Sequence, residues 1–332
     1  MEIIGVKVVV IGGGTGSFTV LNGLKNYTQH ITALVNMADD GGSTGQLRDE
    51  LGVLPPGDVR QCLVALSESP RTRDLFNYRF EEGALAGHAF GNLFMAALEK
   101  MTGNFADAVE EASRVLNIIG RVEPVTLDQV TLVVEEPGGE ETHGEFKIAH
   151  MQFVEGARPN IRLDPTPTLN PAAKQAIEKA DIVVIAPGNL YGSLAPALVV
   201  PGISEALNAT TAKKVYVSNL VTKPGQTDGF QVQDFAAEIE RFGNFTLDYV
   251  LYNQEPPSSE LIEKYAKDRE QPVGFEKAVL KAQHYEAKGG RFLSGSFVAY
   301  NSSSADPIGA TRTLIRHDSD AVARAIMKLY FS

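Results

Sequence analysis

Two segments carry residue types and spacings that could do chemistry: Ile11-Gly12-Gly13-Gly14-Thr15-Gly16-Ser17 and Asp39-Asp40-Gly41-Gly42-Ser43-Thr44-Gly45. In the first, glycines permit a tight turn that leaves backbone N–H groups facing a phosphate, with the N-terminus of a following helix behind them. Gly12, Gly13, Gly14, Thr15 and Gly16 are therefore candidate phosphate contacts. Their number exceeds what turning alone requires. Ser17 stands where the third glycine of a dinucleotide fingerprint belongs, and no Gly-Lys-Ser/Thr follows as in a Walker loop. In the second segment, Asp39 and Asp40 can accept hydrogen bonds from ligand hydroxyls or amides, or hold magnesium. Gly41, Gly42 and Ser43 can form a second anion nest, with Arg48 reaching a phosphate. The plainer alternative makes Asp40 a helix cap and Arg48 half of a surface ion pair.

Further segments join these two. Gly87-His88-Ala89-Phe90-Gly91-Asn92 sets His88 and Asn92 among glycines that cost a helix about 1 kcal/mol each, a sign of close approach by ligand or backbone. His88 serves equally well as a satisfied buried histidine. Ala186-Pro187-Gly188-Asn189-Leu190-Tyr191 and Ser218-Asn219-Leu220-Val221-Thr222-Lys223 each end an apolar run, which makes Gly188, Asn189, Tyr191, Asn219 and Lys223 candidate contacts. Arg316-His317-Asp318-Ser319 precedes the final helical pattern, where Asp318 or Ser319 can cap. Cys62 has no local base and reads as a core residue.

The elements that must position these groups alternate. Val6–Ile11, Ile31–Met37, Asp181–Ala186, Lys214–Leu220 and Tyr249–Asn253 are short β-branched runs of the kind buried in a parallel sheet. Helical patterns follow several of them, at about Ser17–Leu24, Pro171–Ala180, Gln231–Phe242 and Asp320–Tyr330. In Pro55-Pro56-Gly57-Asp58, the prolines and glycine form a turn and Asp58 reads as an N-cap. The expectation is one α/β domain over residues 1–332: a doubly wound, mostly parallel sheet of modified Rossmann type. It carries a helical subdomain at about 58–118 and a β-hairpin at about 125–150. The hairpin is read as strands Val130–Val134 and Glu145–Ile148 around Pro137-Gly138-Gly139, an exposed acidic excursion. In such a sheet, ligands bind at the carboxyl ends of the strands, where strand order reverses.

A net charge of −11 argues against a broad nucleic-acid-binding face. With 43% hydrophobic residues the chain has ample material for a core. A single cysteine excludes an internal disulfide and a cysteine-based zinc site. The longest apolar stretch, Ile182–Val200, is interrupted by proline and glycine, so no membrane span is expected, and no secretory leader is read at the start. Cytoplasmic residence is the resulting expectation.

Taken together, Gly12–Gly16, Ala38–Gly45, Pro55–Arg60, Gly87–Asn92, Ala186–Tyr191 and Arg316–Asp318 resemble the YvcK-like gluconeogenesis factors, within the superfamily of the phospholactate transferase of deazaflavin-cofactor synthesis. The resemblance covers nearly the whole chain. It implies a nucleotide-sugar ligand, UDP-N-acetylglucosamine, with no cofactor required, and a regulatory role in growth on gluconeogenic carbon sources and in cell shape. It also implies ligand roles for Arg316 and for an upstream tyrosine, for which Tyr285 stands. The hydroxyl residue after Arg-His-Asp is phosphorylated in some members, and Ser319 occupies that place. Two alternatives stay open: a magnesium-dependent phospholactate-type transferase using Asp39 or Asp40, and an NAD-binding oxidoreductase in which Asp39 holds a ribose.

Overall fold

The computed structural model describes residues 5–154, 156, 158–294 and 314–332. Its frame is a seven-stranded parallel sheet. Strands β1 (Val8–Ile11), β2 (Ile31–Val35) and β3 (Arg121–Pro124) form one half. After an accessory sheet of β4 (Thr131–Glu135), β5 (Glu141–His143) and β6 (Asn160–Asp164), the chain returns as β7 (Ile182–Ile185), β8 (Lys213–Val217), β9 (Tyr249–Asn253) and β10 (Glu286–Gly290). The order across the main sheet is β10-β9-β8-β7-β1-β2-β3, so the direction of progression reverses between β1 and β7. Val8 to Ile11 pair with Ile31 to Leu34 on one side and Ile182 to Ile185 on the other. This is the expected doubly wound architecture.

Alternation along β1 explains the layering. Val8 and Val10 enter one core, with α1 (Gly14–Leu24) and α3 (Gly57–Leu66) beneath them, whereas Val9 and Ile11 enter the other. Both faces are covered, which is why these strands read as continuous apolar runs rather than alternating ones. Around α3 lie α2 (Gly42–Leu51), α4 (Pro70–Asn77), α5 (Phe90–Thr102) and α6 (Phe105–Leu116), the helical stretch between β2 and β3. The opposite face is covered by the accessory sheet with α7 (Glu145–Ile148), and by α8 (Pro171–Glu178), α9 (Ala195–Leu198), α10 (Ile203–Ala209) and α11 (Val232–Gly243). Helices α12 (Ser259–Lys267) and α13 (Lys277–Lys281) lie between β9 and β10, and α14 (Ser319–Tyr330) packs on α1.

Two local expectations are corrected. Glu145–Ile148 is a helix, not a strand, because the turn at Gly144 (φ 98°) and a carboxylate from Asp40 start a helical turn there. The hairpin is also not an exposed excursion: β6 adds a third antiparallel strand, and Leu132, Val133 and Val134 are fully buried. Among the described residues no single helix is long and apolar enough to cross a membrane; the apolar pair Leu190–Leu198 and Ile203–Ala209 bends by 70°.

Candidate functional site at the carboxyl rim

The loops after β1, β2, β7 and β8 meet at the point where strand order reverses. The glycine loop is occupied by the protein itself. The Asp58 carboxylate accepts the Gly14 N–H, and a Cβ on Gly13 would collide with it. A Cβ on Gly16 would overlap the Pro187 carbonyl oxygen, and one on Gly12 would press on Ser17 Oγ and Ala186. The surplus glycines are thus explained by close approach of Asp58 and of the β7 loop. Gly12 and Gly14, at φ 149° and 63°, also need glycine for the turn. Ser17 Oγ, beside Gly12, is buried without a hydrogen-bond partner among the described residues. Asp58 does not cap its own helix: α3 starts at Gly57, and the carboxylate looks across to the glycine loop.

Asp39 is half-buried. It accepts the Gly41 N–H at 2.9 Å and a bond from the Thr44 hydroxyl. Gly57 approaches both Thr44 and Asp39, which draws the Asp39 loop against the start of α3. Asp40 turns the other way. Its Oδ1 accepts the Phe146 N–H at 2.7 Å, so it caps α7 from a distant part of the chain, and its Oδ2 lies 3.9 Å from Arg48. Glu145, at the start of α7, sits between Gly41 and Gly192. Burial pushes Glu145 up to about 8, helped by Asp39, Asp58 and Asp40 and opposed by Lys223. Burial, then the charge of Asp39, raises Asp58 to about 7, and Asp39 is raised chiefly by burial. Near neutral pH the floor therefore offers carboxyl groups that donate as well as accept.

A directional hydrogen-bond chain supports this floor. Arg60 Nε donates to Asn92 Oδ1 at 2.9 Å, which turns Asn92 Nδ2 toward Ser43 Oγ at 3.2 Å. Ser43 then has its own proton left for His88 Nδ1, 2.9 Å away. His88 thus joins the α2 N-terminus, and Asn92 is a buried linker behind it. Cys62 is fully buried, its thiol pushed well up by desolvation, in keeping with a core role.

On the β7–β8 side, Asn219 Nδ2 donates to the Gly188 carbonyl at 2.8 Å and Asn219 Oδ1 accepts the Gly188 N–H at 3.3 Å. Asn189 Oδ1 accepts the Gly192 N–H and starts the π-helical turn Leu190–Leu194. Tyr191 is fully buried, edge-on to Phe153 and Phe242, so it lies in the core under the rim. Arg316 is brought to the rim by its neighbour: His317 bonds the backbone of Ser218 at the end of β8 and is held neutral, pulled down to about 4 mainly by burial. Tyr285 is not brought to this rim. It precedes β10 and is therefore at the amino edge of the sheet, the opposite end. The tyrosine next to Arg316 is Tyr265, whose hydroxyl accepts the N–H groups of Leu314 and Ile315. Ser319 opens α14, whose Asp318 cap accepts the Ala321 N–H.

The chain matches the family model of the 2-phospho-L-lactate transferase CofD over residues 8–293. It is 41% identical to a putative gluconeogenesis factor of Thermotoga maritima over 97% of this chain and 99% of that one. With the gluconeogenesis factor of Bacillus subtilis it shares 37% identity over 97% and 98% of the two chains. A crystal structure of a UPF0052 family protein from Bacillus halodurans superposes with a TM-score of 0.87 at 38% identity, covering 98% of this chain and all of that one. The chain belongs to the gluconeogenesis factor family, within the CofD superfamily.

Magnesium is the metal that the transferase alternative would require. Among the described residues no group of three or more His, Cys, Asp or Glu side chains is disposed to hold a metal ion. Asp39 and Asp58, the first of which raises the proton affinity of the second across the floor, are the pair that could share one with ligand oxygens. Magnesium commonly binds in this way, through one or two carboxylates plus phosphate and water. Asp40 is committed to α7 and Arg48. Asp58 and Glu145 are the site residues that sequence reasoning missed. Asp58 was marked only as a turn and cap, and Glu145 only as strand.

Proposed function

We propose that this member of the gluconeogenesis factor family is a cytoplasmic regulatory protein that binds a UDP-sugar, UDP-N-acetylglucosamine, at the rim between β1 and β7. Through that ligand it supports growth on gluconeogenic carbon sources and cell shape. The observation that carries the reading is the charge layout of the crevice. The carboxyls of Asp39, Asp58 and Glu145 are all raised in proton affinity, Lys223 acts on Glu145 from the β8 side, and Arg316 adjoins His317, which is bonded to the end of β8. The carboxyls suit sugar hydroxyls and an acetamido group as donors and acceptors. The cations suit a diphosphate, with the Gly188 peptide beside them. No cofactor is needed for this role, and no nucleophile beyond the hydrogen-bonded Ser43 is called upon.

Calorimetry with UDP-N-acetylglucosamine tests the reading. Saturable binding is expected, weakened about 10- to 100-fold in Arg316→Ala, the range of a charge-assisted hydrogen bond. No saturable heat, or the same affinity in the variant, overturns it. Ligand at a hundred times its dissociation constant should add about 2.7 kcal/mol of stability, read as a raised thermal midpoint.

A further inference from the structure

Helix α7 sends its side chains three ways. Glu145 turns into the crevice, Ile148 is fully buried in the core, and Phe146 remains 55% exposed beside Gly41 at the mouth of the site. Leaving half of such a ring in water forgoes apolar burial. The ring is nevertheless held in place. Asp40 accepts its backbone N–H at 2.7 Å, and its carbonyl oxygen lies 2.6 Å from His150 Nδ1, which donates to it. The His150 ring stands against it, centroids 4.6 Å apart and planes at 48°. Two rings thus stand at the entrance of a crevice whose other groups are polar or charged.

We propose that Phe146, steadied by His150, is the stacking platform for a planar, uncharged heteroaromatic ring of the ligand, the base end of the nucleotide. Charge sorts the ligand along the crevice. Asp40, which accepts the Phe146 N–H, disfavours a phosphate there, while a neutral ring gains contact with the exposed π-face. The diphosphate then extends toward Lys223 and Arg316. This assignment rests on the nucleotide-sugar reading above for the identity of the ring, and on Phe146 and its neighbours for its place.

The chain has no tryptophan, so Phe146→Trp introduces a sole indole at the platform. Titrating that variant with UDP-N-acetylglucosamine is expected to quench its fluorescence with an affinity close to wild type. By calorimetry, Phe146→Ala should lose about 5- to 150-fold in affinity, the range of one base–aromatic stack, with its thermal midpoint unchanged. Phe146→Leu should lose nearly as much. Equal affinity in wild type and Phe146→Ala, with no quenching in Phe146→Trp, overturns the platform and leaves the UDP-sugar reading standing. Absence of binding by the wild-type chain overturns the UDP-sugar reading instead. The indole is then titrated with NAD and with a deazaflavin: quenching by either supports the platform, and none overturns it.

Discussion

At the level of single residues, the floor of the site stores protons. Asp58 and Glu145 sit at about 7 and about 8, against ordinary carboxylate values near 4. The folded protein therefore binds protons that the unfolded chain releases, and stability must fall as pH rises between the ordinary and the raised values. His317, pulled down to about 4, acts in the opposite sense, but only below its ordinary value near 6.5. The window from about pH 6.5 to 7.5 thus isolates the carboxyls. The thermal midpoint of the unliganded protein is expected to drop across it, and Asp58→Asn or Glu145→Gln to flatten the drop. A wild-type midpoint that stays level there would show that the floor is ionised without penalty. Of these two residues, Asp58 was visible in the sequence as part of a turn, but its partner loop lies more than forty positions earlier. Glu145 was hidden in a β-prone, acidic stretch, because the Asp40 cap that makes it helical is a tertiary contact.

Among elements, the helical stretch between β2 and β3 is more than a cover. Its α3 and α5 hold the N-terminus of α2 through Arg60, Asn92 and Ser43, a chain in which each donor fixes the orientation of the next. Asn92→Leu removes the middle link and leaves the buried Arg60 Nε without its acceptor. It is expected to destabilise by about 2–3 kcal/mol, seen as a lower urea midpoint with an unchanged slope. A loss below about 0.5 kcal/mol would mean that the network can rearrange at no cost. The strands that end in the rim loops were legible, since burial on both faces writes them as short β-branched runs. Strand β10, Glu286-Ala287-Lys288-Gly289-Gly290, was not, because its composition favours no strand and only the ladder to β9 makes it one.

In the whole molecule, the two halves of the sheet meet at β1 and β7, and Gly16 is where their loops touch. A methyl group there meets the Pro187 backbone carbonyl, which cannot swing aside as a side chain would. Gly16→Ala should therefore cost about 3 kcal/mol, whereas Gly138→Ala, with open space around it, should stay within about 0.5 kcal/mol. Denaturant midpoints of the two variants decide this, and equal values would mean the halves are free to part. The doubly wound plan could be read from the order of strands and loops. The distribution of duties among the crevice residues could not, since most of the glycines serve protein contacts first. Helix α7, with Glu145 and Phe146, belongs to a stretch of chain inserted between β3 and α8, while Asp39 lies in the loop after β2 and Asp58 in the first turn of α3. The mouth and one carboxyl of the floor thus travel on a single inserted stretch, so replacing that stretch would change both the ring met at the entrance and one of the protons held beneath it.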